Sequence, residues 1–379
     1  MPVRPFTLAD IDGVNALHAD IHWPVPSAAM WQWMASNPAH PPDVPLGWVI
    51  DNDGRIDGYL GNYRRNAYRG RNRHPIASGH SVIVSPRAKG SLRALLQPFL
   101  TQPDTAFKTV LNANAIGSQL YSKLGLAPLP HPIRDQKPTW VLAPSLAALA
   151  RGLRVAVDRW PILADRLGEC FPLRAANLFD PRRVKWPRNV HVIEDLSDNS
   201  AYGEFWETLR SENRFVTDRS PATLRWYLSI PDTYIAPLVL GYHDETGLAA
   251  YAIGQVSKTR PIDVPVLEIL DMVWLSRAPA NAVPTLVSAM QKAGYKLGVV
   301  KVRLPVVSAA LLDALGPKRR EARNEGRWCH AFISEDPAAF ADWSPTAFDG
   351  SDGFTLRQPP RKSNRRPKRR ASGQPALET

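Results

Sequence analysis

Cysteine is scarce in this chain. Cys170 and Cys329 are the only two in 379 residues, and they form no CxxC pair. That spacing argues against a disulfide framework and leaves two buried thiols as the expectation. The nine histidines are scattered, with no HExxH pair or other ligand spacing, so no metal site is expected. No apolar run approaches the roughly 18 residues of a membrane span. The opening Met1-Pro2-Val3-Arg4-Pro5-Phe6-Thr7 lacks the apolar core of a signal peptide, which predicts a cytoplasmic protein. Net positive charge is also small outside the C-terminus. Of the net charge of +12, the segment from Arg357 onward supplies +7, from eight Lys/Arg against Glu378 alone, and the body carries +5. A body so weakly charged gives no reason to expect a nucleic-acid partner.

A long internal repeat is present instead. Residues 30–59 read MWQWMASNPAHPPDVPLGWVIDNDGRIDGY and residues 224–251 read LRWYLSIPDTYIAPLVLGYHDETGLAAY. Trp33, Pro38 and Gly54 keep the spacing of Trp226, Pro231 and Gly247. Each copy runs aromatic helix end, proline stop, apolar strand, acidic-glycine turn, second strand. Repeats this long are duplicated domains, since solenoid units recur every 20–50 residues or so. Length and an apolar content of 44% fit two cores of about 150 residues each. The expected division is a first domain over 1–144, a basic connector over 145–188, a second domain over 189–354 and a tail over 355–379.

In the first half, Asn52-Asp53-Gly54 marks a hairpin between strands at 47–50 and 56–63. A short strand at Ser81–Val84 runs into Ser85-Pro86-Arg87-Ala88-Lys89-Gly90-Ser91, after which a helix restarts at Leu92. A strand entering a glycine-bearing turn and then a helix aims backbone N–H groups at one point, an arrangement that binds phosphate. Arg87 and Lys89 would add charge. An ordinary solvated turn is the other reading of that loop taken alone. A strand at 109–111 and a helix at 115–124 follow, giving the order β, α, α, β, β, β, loop, α, β, α, β.

Order and motifs together resemble the GNAT superfamily of acyl-CoA-dependent N-acyltransferases. Val82 to Gly90 is similar to that family's strand and pyrophosphate loop, and Leu120-Tyr121-Ser122-Lys123-Leu124-Gly125-Leu126 to its "lYeklGF" helix. The resemblance implies an acyl-CoA donor, acetyl-CoA or another. Its cofactor-binding residues would be Val84, Arg87, Ala88, Lys89, Gly90 and Ser91, with Asn114 lining the pantetheine channel. It also implies that Tyr121 protonates the departing thiolate and that a strand N–H near Val84 stabilises the intermediate. Two departures stand out: Leu92 where the family loop has Gly or Ala, and no acidic base on the strand before the loop. His80 could take that role, because imidazole titrates near neutral pH. A surface histidine at a strand start is the other reading.

The connector places Leu146, Leu149, Leu153 and Val157 on one helical face, with Arg151, Arg154 and Arg159 on others. Docking between domains or lying on an anionic membrane are its two uses. From Val190 the pattern restarts, but Leu275-Ser276-Arg277-Ala278-Pro279-Ala280 has no glycine, so the second copy is expected to lack a cofactor loop. Arg214, Phe215, Arg219, Arg225, Trp226 and Tyr227, with Glu268 and Asp271, suit a polar substrate, sugar above all; a domain interface is the alternative. Alternation along a strand would put Glu268 and Asp271 on opposite faces, and Asp271 is the one taken to face the cleft as a catalytic residue.

The phrase from Asn213 to Pro231 resembles tandem GNAT-like proteins of bacterial exopolysaccharide and holdfast synthesis. That resemblance implies acyl transfer to an amino group of a sugar or polysaccharide precursor, or, alternatively, an inactive scaffold or regulator of polysaccharide assembly. The tail is expected to be disordered. Arg361, Arg365, Arg366, Arg369 and Arg370 could hold an anionic inner-membrane surface, since each basic residue contributes about 1 kcal/mol. They could also chelate cyclic di-GMP, or be merely solvated. The fold class expected is therefore α/β, two GNAT-like domains, each a mixed twisted sheet flanked by helices.

Overall fold

A computed structural model of the chain describes residues 2–130, 135–160, 163, 167, 170–173, 178–233, 235–258, 262–326 and 330–355. The first half runs β1 (Val3–Pro5), α1 (Ile11–Asp20), α2 (Ala28–Ala35), β2 (Gly47–Asn52), β3 (Arg55–Arg69), β4 (Asn72–Val84), α3 (Leu92–Thr101), β5 (Phe107–Ala113), α4 (Ala115–Lys123) and β6 (Ala127–Pro128). This is the expected order. Ser27 starts α2 by accepting from the Met30 amide at 3.1 Å. Asp53 and Gly54, at φ 53° and 85°, make the tight turn between β2 and β3. The β3–β4 hairpin is much longer than expected, at 15 and 13 residues.

The chain continues through β7 (Pro138–Val141), α5 (Pro144–Arg159), β8 (Val190–Val192), α6 (Ala201–Ser211), β9 (Phe215–Thr217), α7 (Pro221–Leu228), β10 (Leu238–Asp244) and β11 (Gly247–Ser257). Then come β12 (Val266–Trp274), α8 (Ala282–Leu297), β13 (Lys301–Arg303), α9 (Ala309–Ala314), α10 (Pro317–Glu321), β14 (Arg323–Asn324) and β15 (His330–Ile333).

Two mixed sheets result. One has the order β1-β2-β3-β4-β5-β15-β6, and the other, read from its far edge, β8-β10-β11-β12-β13-β7-β14. The two orders match strand for strand, so the repeat read in the sequence is a repeat of sheets. Neither sheet comes from one contiguous stretch. β7, from the expected first domain, lies between β13 and β14 of the second sheet. β15, from the expected second domain, lies between β5 and β6 of the first. β9 also crosses, pairing Phe215–Thr217 with Ala67–Arg69 of β3. The halves are therefore exchanged at equivalent positions, as in a strand-swapped dimer joined into one chain.

The repeated tryptophans sit on the local two-fold of this arrangement. Trp33 and Trp226 stack at 4.3 Å with 5° between their planes. Each indole N–H donates to the other's carbonyl, Trp33 Nε1 to Trp226 O at 2.8 Å and Trp226 Nε1 to Trp33 O at 3.0 Å. Burying two indoles without an unsatisfied N–H requires such reciprocity. Trp226 and Tyr227 thus belong to the contact between halves, the alternative reading of that cluster.

The connector helix α5 docks. Its small face of Ala147, Ala150 and Leu153 packs on Val264, Val266 and Val300 at the end of the second sheet, and Arg154 donates to Asp263 at 2.7 Å. Leu146, Leu149 and Val155 stay exposed. Among the described residues no helix is long and apolar enough to cross a membrane.

Candidate functional site

β4 and β5 are parallel neighbours for only three residue pairs, Ile76–Ser78 with Phe107–Thr109, and then part. β4 runs six residues further to Val84 with β3 on one side only. Within that free stretch its ladder with β3 shifts register between Tyr59 and Gly61, and Ser81 stands at φ 49°. A bulge with a non-glycine residue in the left-handed region re-aims the backbone and is held only where surroundings enforce it. The bulge sits on an open strand edge beside a cleft.

The turn after β4 is pinned from below. Asp57, fully buried on β3, accepts from Ser85 Oγ at 3.1 Å, Arg87 Nε at 3.1 Å and Arg55 Nη2 at 2.9 Å, and its carbonyl takes the Ser85 amide at 2.8 Å. Arg55 first, then Arg87 and Ser85, hold its carboxyl well below the ordinary range against the cost of burial. Arg87 therefore anchors the turn through Nε and keeps most of its side chain exposed. Asp57 carries no motif, and sequence reasoning missed it.

The amides of Ala88, Lys89 and Ser91 are used within the turn, bonding to Ser85, Pro86 and Ala88 carbonyls. The expected loop from Arg87 to Ser91 therefore spends three of its amides on the turn itself, and no side chain caps the start of α3 that follows. Gly90 stands at φ 95°, and a Cβ there would meet nothing within 4 Å. It is needed for the turn, and the space in front of it is open. Lys89 and Arg93 are exposed beside it. Leu92 packs into the cluster that also holds Ala88, Phe99, Val110 and Tyr121.

That cluster bridges the parted strands and brings Tyr121 of α4 to the side of the turn. Burial pushes the Tyr121 phenol up to about 12. Asn114 caps α4, its Oδ1 accepting from Gly117 N at 2.7 Å, so this oxygen is engaged with the helix. His80 is no surface histidine. It is 7% exposed, lies 3.2 Å from Ser81 Oγ through Nδ1, and lines a small cleft of about 10 Å³ with Trp31, Asn37, His40, Tyr59 and Tyr63. Burial lowers His40, despite its contact with the Val44 carbonyl at 2.7 Å.

The second half places its charged residues differently. β12 and β13 repeat the three-pair parallel ladder and the parting, Val266–Glu268 with Lys301–Arg303. The β11–β12 ladder slips between Ile253 and Gly254, so simple alternation fails between Glu268 and Asp271. Both lie beside the segment 346–352: Asp271 accepts from Thr346 Oγ1 at 2.7 Å, and Glu268 acts on Asp352. Asp271 is completely buried and does not face a cleft. Arg219, equally buried, bridges Asp271 and Asp349, and Tyr251 donates to Asp271 as well. Glu268 is closed by Arg303 and by Ser257 Oγ at 3.1 Å. Arg225 is half-exposed near Asp198. Of the residues assigned to a polar substrate, Arg219, Glu268 and Asp271 are held in buried ion pairs, Trp226 and Tyr227 are buried aromatics, and the exposed Arg225 stands apart from them.

Asp352 is the most perturbed carboxyl between the sheets, held by Asn112 Nδ2 at 3.1 Å. Burial, then the charge of Glu268, pushes it up to about 6 from 3.8, against Lys137 and Arg303. A raised carboxyl favours the fold while protonated and loses that contribution as pH rises from about 4 through about 6. Asp352→Asn should match the wild type at pH 4 and exceed it at pH 7 by up to about 3 kcal/mol, read from urea midpoints. Equal midpoints at both values would show that the shift is absent.

Cys329 and the tail arginines Arg361, Arg365, Arg366, Arg369 and Arg370 lie outside the described residues. No protein-family model matches the chain, and no curated protein matches it. Among solved structures, Saccharomyces cerevisiae N-myristoyltransferase with bound myristoyl-CoA is similar at TM-score 0.51 and 9% identity, over 88% of this chain and 78% of that one. A second structure of that enzyme, with myristoyl-CoA and inhibitors, gives 0.52 at 9% identity over 88% and 79%. A GCN5-related N-acetyltransferase from Anabaena variabilis gives 0.49 at 16% identity over 88% and 72%. At such identities the likeness is one of fold. The chain has the mixed, helix-flanked double sheet of the N-acyltransferase type, as the sequence led us to expect.

Proposed function

We propose that this protein is an acyl-CoA-dependent N-acyltransferase whose donor site is the cleft between β4 and β5. The observation that carries the reading is the coincidence, on one strand, of a free edge, a bulge at Ser81 and an open glycine turn leading into an uncapped helix. Gly90 and the first-turn amides of α3, with Lys89 and Arg93, would hold the pyrophosphate. The edge of β4 from Gly79 to Val84 would receive the pantetheine arm through backbone hydrogen bonds. An amide freed by the bulge would meet the thioester carbonyl oxygen.

His80, in the cleft on the same bulge, would take the proton of the attacking amine as the C–N bond forms and the C–S bond breaks. Tyr121 would act on the leaving side. Held near 12, its phenol would not surrender a proton outright to a thiolate whose acid titrates near ~8.5; it would stabilise the sulfur by donating a hydrogen bond. Following the sequence resemblance, we assign the acceptor as an amino group of a sugar or polysaccharide precursor of exopolysaccharide or holdfast assembly. Through its basic tail the protein would meet an anionic inner-membrane surface or cyclic di-GMP.

Calorimetric titration of acetyl-CoA into wild type, Gly90→Asn and Gly90→Asp tests the donor site. Asn and Asp share the backbone strain at φ 95°, so their difference isolates the charge placed in the cradle. The expected result is binding by wild type and at least ~10-fold weaker binding by the Asp than by the Asn variant. Absence of binding by wild type, or equal binding by the two variants, would overturn the reading. An inert scaffold could share the fold, but not this difference.

A further inference from the structure

The turn that follows β4 has an arginine beside it that the proposed reaction leaves unused. Gly58 of β3 pairs with Val84, the last residue of β4. Arg55, at the start of β3, therefore lies about 10 Å beyond the end of that ladder, alongside the turn. It shares one carboxylate with Arg87, a residue of the turn itself. Arg55 donates to Asp57 from Nε at 3.2 Å and from Nη2 at 2.9 Å, and Arg87 from Nε at 3.1 Å.

Both guanidiniums are held from within and open outward. The Asp57 side chain is fully buried, while those of Arg55 and Arg87 are 53% and 58% exposed. Among the described residues, Nη1 of Arg55 and both Nη atoms of Arg87 make no hydrogen bond. Asp53, in the β2–β3 turn, is the other acid acting on Arg55, and Lys89 and Arg93 are exposed beside Gly90. Two acids thus face four cations, and the turn keeps a positive excess. A guanidinium fixed through Nε presents its two Nη groups in one plane, the geometry that grips phosphate oxygens.

An acyl-CoA carries phosphate in two places. Its pyrophosphate is assigned to Gly90 and the start of α3. Its other phosphate is a monoester on the ribose, with a charge of roughly −2 at neutral pH. If β4 from Gly79 to Val84 takes the pantetheine arm, the nucleotide must leave past the turn, beyond the end of β4. Arg55 and Arg87 stand at that end, and their free N–H groups match the three terminal oxygens of a monoester.

We propose that Arg55 and Arg87, oriented by Asp57, form a subsite for the 3′-phosphate of the donor's ribose and so select CoA over its 3′-dephospho form. Asp57 acts as a positioning residue, since it touches the two arginines and not the phosphate. The inference rests on the acyl-CoA reading of the donor cleft and adds a determinant of donor choice to it.

Calorimetric titrations of the full chain with CoA and with 3′-dephospho-CoA decide it, with Arg55→Gln and Asp57→Asn as variants and urea midpoints to report folding. Wild type should bind CoA about tenfold more tightly than the dephospho form at low salt, and the advantage should shrink at ~0.5 M salt. Arg55→Gln should lose most of that preference, with dephospho-CoA binding unchanged within about twofold. Asp57→Asn should lose the preference as well, whereas a merely structural role would weaken both ligands alike. Equal affinity of wild type for the two ligands would overturn the subsite and leave the donor reading standing; binding of neither would overturn both. A preference undiminished in folded Arg55→Gln would overturn the assignment of that arginine, and equal weakening of both ligands in Asp57→Asn the positioning role. If neither variant folds, the two wild-type titrations alone decide.

Discussion

A chain ended after Glu325 should fail to form its first sheet, although every expected element of that half is still present. β15 sits between β5 and β6 and pairs with both. Its loss leaves Thr109–Ala113 with an unpaired edge in the middle of a sheet. The same cut removes Phe332, Ile333, Trp343 and Phe348, all at most 5% exposed. Each such side chain contributes about 1.5–3 kcal/mol by burial. Four of them match the whole stability of an ordinary domain, about 5–15 kcal/mol. The reciprocal fragment 1–144 should fail too, because it lacks β15 and β9 and exposes Trp33. Solubility, cooperative urea unfolding and amide-exchange protection of Val110–Ala113 measure this. A soluble 1–144 fragment that unfolds cooperatively with β5 protected would show that the halves are independent domains after all.

That exchange marks where the sequence stops being legible. The tryptophan phrase, the Asn52-Asp53-Gly54 turn and the strand-turn-helix around Gly90 are local patterns, and all three are found where they were read. β7 and β15 are four residues long each, and nothing in their composition says which sheet receives them. Pairing partners 200 residues apart leave no local signature. The β3–β4 hairpin runs beyond the strands expected at 56–63 and 81–84, through a charged stretch with Arg64, Arg65, Asn66 and Arg69. In the fold Arg64 and Arg65 are buried, with Gln102 at 3.1 Å and Tyr63 at 2.8 Å as partners.

Site chemistry divides the same way. The Gly90 turn was legible because backbone conformation demands glycine there, whereas His80, read at a strand start, lies buried well inside β4. Asp57 was invisible, since a single aspartate two residues after an arginine reads as surface charge until the turn it anchors is seen above it. Glu268 and Asp271 were misread because a one-residue slip in the ladder alters which side chains share a face.

Arg219 and Arg225 make the sharpest contrast, since the sequence grouped them as one substrate-binding pair. Arg219→Met should lower stability by about 3–5 kcal/mol, while Arg225→Met should change it by less than about 0.5 kcal/mol. Arg219 is 2% exposed, bonded through Nε to Asp271 at 3.1 Å and through Nη2 to Thr346 at 3.1 Å and Asp349 at 3.2 Å. Burial works against its charge, but the carboxylates of Asp271 and Asp349 outweigh that and hold it well above its ordinary value. Remove the guanidinium and two carboxylates remain buried against each other, with only Thr346, Tyr251 and Thr217 to donate to them. One of the two must then take up a proton, so the Arg219→Met deficit should shrink as pH falls from 7 to 5. Lysine would not substitute, because one ammonium cannot span both carboxylates and the Thr217 carbonyl at 2.9 Å at once. Arg225 reaches only the Leu196 carbonyl and the exposed Asp198 at 3.8 Å, an interaction solvent replaces at little cost. Urea midpoints at pH 7 and pH 5 give both comparisons. Near-equal small losses for the two variants would mean that Arg219 is not the clamp between the sheet and the segment 346–349. A large loss at Arg225 would return that residue to a role the surface position does not suggest.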